Sequence, residues 1–148
     1  MRRIWIATAI TALLCASAQA RPLHHHRHVR HHHYMHVVDG STEFLPHPAG
    51  CPRTAFCGCG SAKRAQMDGP LALPERLLWL AANWLHFPRA EPSPGMAAVV
   101  GRHHVFVIER LVSRTTAIVY DANSGGHETR RHLRSIAGAV IVDPHRSS

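Results

Sequence analysis

The sequence is short of acid. Its 148 residues hold 9 Asp and Glu against 17 Lys and Arg, a formal charge of +8 with histidine neutral. Lysine is scarce as well, so arginine supplies most of that charge. The imbalance points to an anionic partner: nucleic acid, anionic lipid or an anionic polymer. No glycine loop of the phosphate-cradling kind is present, which removes the common nucleotide-binding signatures. No internal repeat is present, which removes solenoids and propellers. Beyond the start of the chain, no apolar run is long enough to span a bilayer. The cysteines are too few for a four-thiolate zinc site, with Cys51, Cys57 and Cys59 crowded into one short stretch and Cys15 far upstream.

What is present begins with an export signal. Arg2 and Arg3 precede the apolar run IWIATAITALLCA, and Ala18-Gln19-Ala20 forms a small-residue cleavage site. Residues 1–20 therefore read as a secretory signal peptide cut before Arg21, leaving no membrane span in the mature chain. A periplasmic or secreted protein is the expectation, and for such a protein nucleic acid is the least apt partner. Cleavage removes Cys15 and leaves three cysteines, so in an oxidising compartment one thiol stays free or pairs between chains.

Residues 21–49 read as a disordered leader, His-rich and then proline-containing. Its histidines (His24, His25, His26, His28, His31, His32, His33 and His36) would bind Ni, Cu or Zn loosely through neutral imidazoles. The folded part is expected over 50–143, with 144–148 a tail. Ser61 to Met67 suits a short helix. LPERLLWLAANWLHF reads as a second helix: Pro74 fits its first position, and Leu77, Leu80, Ala81, Trp84 and Leu85 share a helical face.

Pro94 to Gly126 reads as a β-meander: MAAVV, then HHVFVIERLV, then TTAIVYD, each bounded by turn residues. A final strand, AVIV, closes at Asp143-Pro144. The expected fold class is α+β, two N-terminal helices packed on a small antiparallel sheet of about four strands. Within the meander, a histidine pair opens the second run while Asp121 and Asn123 close the third. On adjacent antiparallel strands these ends face each other. A candidate nucleophile lies in Phe56-Cys57-Gly58-Cys59, where a loop meets a helix and free N–H groups stabilise a thiolate. A histidine can take the thiol proton, and an Asn or Asp can hold the imidazole.

These residues resemble the CHAP domain, the cysteine- and histidine-dependent amidohydrolase/peptidase domain of papain-like peptidoglycan hydrolases. In that family a Pro-Gly turn enters a strand PGxIAV, and a Gly-His-Val strand runs on to Val-Glu. Here Pro94, Gly95, Ala98, Val99, His104, Val105 and Glu109 fall in that register. Asp121 and Asn123 match the acidic residue and Asn that end the next strand. Upstream, Cys57, Ala62 and Arg64 match the family's Cys with its following Ala and basic residue, and Ala81 to Trp84 matches a helix ending in Trp. The resemblance implies a papain-like fold with Cys57 as nucleophile and His104 as general base. It implies Asn123 or Asp121 to orient the imidazole, the Cys57 N–H as an oxyanion donor, and no required cofactor. Gly58, Cys59 and Gly60 stand where the family has bulky aromatics. Cys59 is the alternative nucleophile, Cys51 is placed to bridge either one, and His103 is the alternative base.

The expected function is a secreted, monomeric cysteine hydrolase acting on peptide amide bonds of peptidoglycan or another anionic envelope polymer. Two alternatives stand beside it: a non-catalytic envelope protein that binds transition metal through its leader, and an inactive scaffold with bridged cysteines.

Overall fold

The computed structural model describes residues 42–148. The expected signal peptide (1–20) and the histidines His24 to His36 of the expected leader lie outside the described residues. The elements are β1 (Glu43–Leu45), α1 (Cys57–Gln66), two 3-10 turns (Glu75–Trp79 and Ala81–His86), then β2 (Ala97–Val100), β3 (His104–Leu111), β4 (Thr116–Ser124), β5 (Glu128–Ser135) and β6 (Val140–Val142). All strands pair antiparallel in one sheet of order β1-β5-β4-β3-β2-β6.

This corrects the expected fold class. The sheet has six strands rather than about four, and among the described residues one α-helix packs on it rather than two. Each difference has a physical cause. β1 is built from Glu43, Phe44 and Leu45, a short run among prolines that finds its ladder on β5. The domain therefore begins before residue 50. β5 itself, ETRRHLRS, lacks the apolar alternation that marks a strand, yet it pairs with β4 along most of its length.

The expected second helix is two 3-10 turns parted by Leu80, whose backbone is extended (φ −90°, ψ 121°). Side chains capture the carbonyls that a continuous helix would use. Trp84 donates its indole N–H to Leu78 O at 2.8 Å, and Asn83 donates its amide to Leu77 O at 2.6 Å. The buried face is consequently Leu78, Ala81, Trp84 and Phe87, while Leu77 and Leu80 are 53% and 67% exposed.

The sheet buries apolar residues on both faces. Val99, Val105 and Val107 pack with Ala62 and Ala65 of α1 and with Trp84. On the opposite face Phe106, Ile108, Val119 and Ile141 form a second cluster with Ile136. α1 is held to β3 at two points. Ser61 donates to Val105 O at 3.1 Å, and Arg64 pairs with Glu109 at 2.8 Å. Glu109 sits at a register shift in β3 and also takes Arg131 of β5, which in turn pairs with Glu43 of β1. Burial opposes ionisation of Glu109, but Arg131 and Arg64 outweigh it and hold its carboxyl below the usual range.

Two glycines set how closely α1 can sit. A Cβ on Gly58 would lie 2.3 Å from Leu78 O and 2.4 Å from Trp79 O. A Cβ on Gly60 would lie 2.3 Å from the Ala122 Cβ. The glycines that weaken a helix start in isolation therefore let its first turn contact both the 3-10 segment and β4. Between them Cys59 forms a disulfide with Cys51. We expect Gly58→Ala and Gly60→Ala each to cost about 1–3 kcal/mol through overpacking, read as a lowered midpoint in denaturant unfolding. Wild-type stability in either variant would remove the close-approach account.

Candidate active site

Pairing of Cys51 with Cys59 leaves Cys57 the free thiol among the described residues. Cys57 opens α1, where no side chain caps the helix. The N–H groups of the first turn therefore lie at the thiol without a competing side-chain acceptor. Its Sγ rests against the start of β3, 3.7 Å from His103 O. That long contact is available to the neutral thiol alone, because a thiolate has no proton to donate.

His104 is the first residue of β3, and Asp121 lies near the end of β4. Antiparallel pairing brings these two ends together. His104 Nε2 and Asp121 Oδ1 are 2.7 Å apart, so Nδ1 is the ring nitrogen left for Cys57. Asp121 is fully buried. Its second oxygen accepts from His132 Nε2 at 3.0 Å and from the Arg134 guanidinium. The same guanidinium lies 3.4 Å from His104 Nε2 and stacks over Phe106 at 4.4 Å.

The electrostatics follow from these contacts. Burial disfavours the Cys57 thiolate, but the His104 hydrogen bond and charge, with the N–H groups of Val105 and Gly58, outweigh it and lower the thiol pKa from its ordinary 9.0. Burial likewise disfavours the His104 imidazolium, but Asp121 and Cys57 raise its pKa from 6.5 to about 9. For Asp121 the burial cost is outweighed by hydrogen bonds from His104 and His132 and by the charges of His104 and Arg134, which hold the carboxyl far below its usual range. The arrangement favours a thiolate–imidazolium pair oriented by a carboxylate, a constellation able to attack a carbonyl and return a proton to the leaving group.

Of the residues expected at the site, Cys57, His104 and Asp121 come together. Asn123 does not join the imidazole. It lies at the register shift between Asp121 and Ser124 with φ 58°, and its Oδ1 takes His127 Nδ1 at 2.9 Å. Cys59 is held in the disulfide, and His103 is exposed, meeting the thiol through its backbone. His132 and Arg134 were not anticipated. Their signal was present as Arg130, His132 and Arg134 at every second position, the period of a strand face.

Two cavities flank the pair and share His103 and Asn123. One of about 290 Å³ is lined by His104, Ser124 and Arg134; the other, of about 280 Å³, contains Cys57 and Trp79. Among the described residues, no group of three or more His, Cys, Asp or Glu is placed to hold a metal ion. No helix among them is long and apolar enough to cross a membrane. Comparison with family models, curated proteins and solved structures finds no match to the chain.

Two measurements follow. The alkylation rate of Cys57 should rise with pH along an acid limb below the ordinary thiol value of 9.0. Asp121→Asn, by weakening the His104 cation beside the thiol, should slow it at neutral pH, with each unit of thiol pKa worth about tenfold in thiolate. An unshifted thiol titration would refute the ion pair. Stability should fall on the acid side of neutrality. The Asp121 contribution is present above 3.8 and lost as pH falls through its depressed value. Above neutrality two contributions oppose each other. That of His104 is fully present below 6.5 and lost as pH rises through about 9, while that of Cys57, lowered from 9.0, grows as pH rises toward 9.0. Unfolding midpoints should therefore be nearly level from 6.5 to about 9 in the wild type, and Cys57→Ala, which leaves His104 without its counterweight, should make them fall over that range.

Proposed function

We propose that the protein is an exported cysteine amidase or endopeptidase that cuts an amide bond in the peptide portion of an anionic envelope polymer. Peptidoglycan is the substrate suggested by the resemblance to the CHAP family. One observation carries the reading: the free Cys57 thiol at a helix start rests against the start of β3, where His104, 2.7 Å from a buried aspartate, lowers the thiol pKa. The Cys51–Cys59 disulfide supports an oxidising compartment, periplasmic or extracellular. The charge of +8 supports attraction to an anionic wall.

In this mechanism the Cys57 thiolate attacks the amide carbonyl carbon and a C–S bond forms. The oxyanion develops beside the first-turn N–H groups of α1, with the Cys57 N–H the nearest natural donor. The tetrahedral intermediate collapses, the C–N bond breaks, and the His104 imidazolium gives its Nδ1 proton to the departing amine. The neutral imidazole then takes a proton from water as that water attacks the thioester. The C–S bond breaks, the acid leaves, and the ion pair is restored. Asp121 holds the ring through both proton transfers.

The test is turnover of purified peptidoglycan, followed as new amine groups and as muropeptides. Cys57→Ala should lower release by about a thousandfold or more, and Cys57→Ser should serve as a variant of nearly native shape. No release by the wild type, or equal release by Cys57→Ala, would overturn the proposal.

A further inference from the structure

The cavity that contains Cys57 has an uneven chemistry. Trp79, Leu80 and Ala81 form an apolar wall, and Arg102 and His103 face it from the turn before β3. Trp79 is held in place independently of any ligand. Arg76 stacks over its ring at 4.0 Å, and its indole N–H reaches Glu75 at 3.4 Å. Leu80 forms an exposed apolar lip because the extended backbone there turns it away from the core.

Charge is distributed just as unevenly. Neither cavity beside the nucleophile is lined by an Asp or Glu among the described residues. Asp121 is buried and engaged by His104, His132 and Arg134. Arg64, Arg130, Arg131 and Arg134 are committed to carboxylates. Arg102, like Arg53, Arg76, Arg89, Arg110, Arg114 and Arg146, pairs with no carboxylate among the described residues, and of these it alone lines the cavity that contains Cys57. A guanidinium beside an apolar cavity, with no acid of the protein to neutralise it, is matched by a ligand carboxylate, which it can take through two parallel N–H bonds.

We propose that Arg102 is a specificity-determining residue that selects substrates carrying a free carboxylate on the flank seated against Trp79 and Leu80. The site then takes an amide with one apolar, anionic flank and discriminates against a cationic flank. This rests on Cys57 being the reactive nucleophile and deepens that reading by naming a substrate class.

The test needs no natural substrate. Iodoacetate and iodoacetamide alkylate the same sulfur and differ in a carboxylate. The rate of each at Cys57 is measured on the full oxidised chain by peptide mass spectrometry, for wild type, Arg102→Ala, Arg102→Glu and Arg102→Lys. The ratio of iodoacetate to iodoacetamide rates should fall about two- to fivefold in Arg102→Ala, as expected for one exposed ion pair. It should fall further in Arg102→Glu and be largely kept in Arg102→Lys. The wild-type ratio should also fall with added salt. A ratio insensitive to residue 102, with Cys57 still reactive, overturns the Arg102 assignment and leaves the nucleophile standing. A Cys57 no faster than a small-molecule thiol toward either reagent overturns both.

Discussion

The charge on Asp121 is the constraint on which the site depends. An ionised carboxylate with no exposure costs several kcal/mol unless neighbours replace its lost hydration. The replacement comes from two flanking strands: His104 from β3, and His132 and Arg134 from β5. Each donor needs its own strand in register with β4. A one-residue slip of β5 would carry His132 and Arg134 to the other face and strand the carboxylate. Register and site chemistry are thus a single condition. Polar residues on a half-buried strand are tolerated here because the group they face is charged.

A second condition places the sulfur. His104 and Asp121 share the sheet face of Phe106, Ile108 and Val119, while α1 packs on the opposite face against Val105, Val107 and Ala122. Cys57 can meet His104 only at the end of the sheet, where β3 begins. The first turn of α1 must therefore press close to the chain around it. Gly58 admits the carbonyls of Leu78 and Trp79, and Gly60 admits Ala122. Cys59, between them, ties the same turn to Cys51. Ser61 then bonds the backbone of β3. The run Cys57-Gly58-Cys59-Gly60-Ser61 is one seating device, and its poor helix propensity is compensated by tertiary contact.

That device explains what could be read in advance and what could not. The meander from Ala97 to Ser124 was legible because Val, Ile and Phe mark strands and turns bound them, and antiparallel order alone brings the histidine pair at one strand's start to the Asp121 and Asn123 end of the next. The number of cysteines said that one thiol would be left over. Which one depended on Cys51 reaching Cys59, a distance no spacing rule supplies. β5 was hidden because its inward positions answer a charge rather than an apolar core. The second helix misled because Leu77, Leu80, Ala81 and Trp84 do sit at helical spacing. The chain instead buries Leu78 and Trp84 by spending side-chain bonds on the carbonyls. Asn123 looked as eligible as Asp121 because strand parity gives both the same face. The register shift between Asp121 and Ser124 breaks that parity and turns Asn123 toward His127.

Arg134 places a cation 3.4 Å from Nε2 of His104. Its effect falls on Asp121, whose carboxyl it helps hold far below the usual range against the cost of burial. The ionised Asp121 then acts on the ring through a hydrogen bond and through its charge. Burial opposes the imidazolium, and the Asp121 hydrogen bond leads the causes that raise the His104 pKa, with Cys57 adding to them. The imidazolium in turn favours the Cys57 thiolate. The thiol and the imidazole therefore titrate as a coupled pair rather than as separate sites. A buried carboxylate on one side of the ring and a sulfur on the other both favour the cation between them, and the arginine keeps the carboxylate charged so that it can do so.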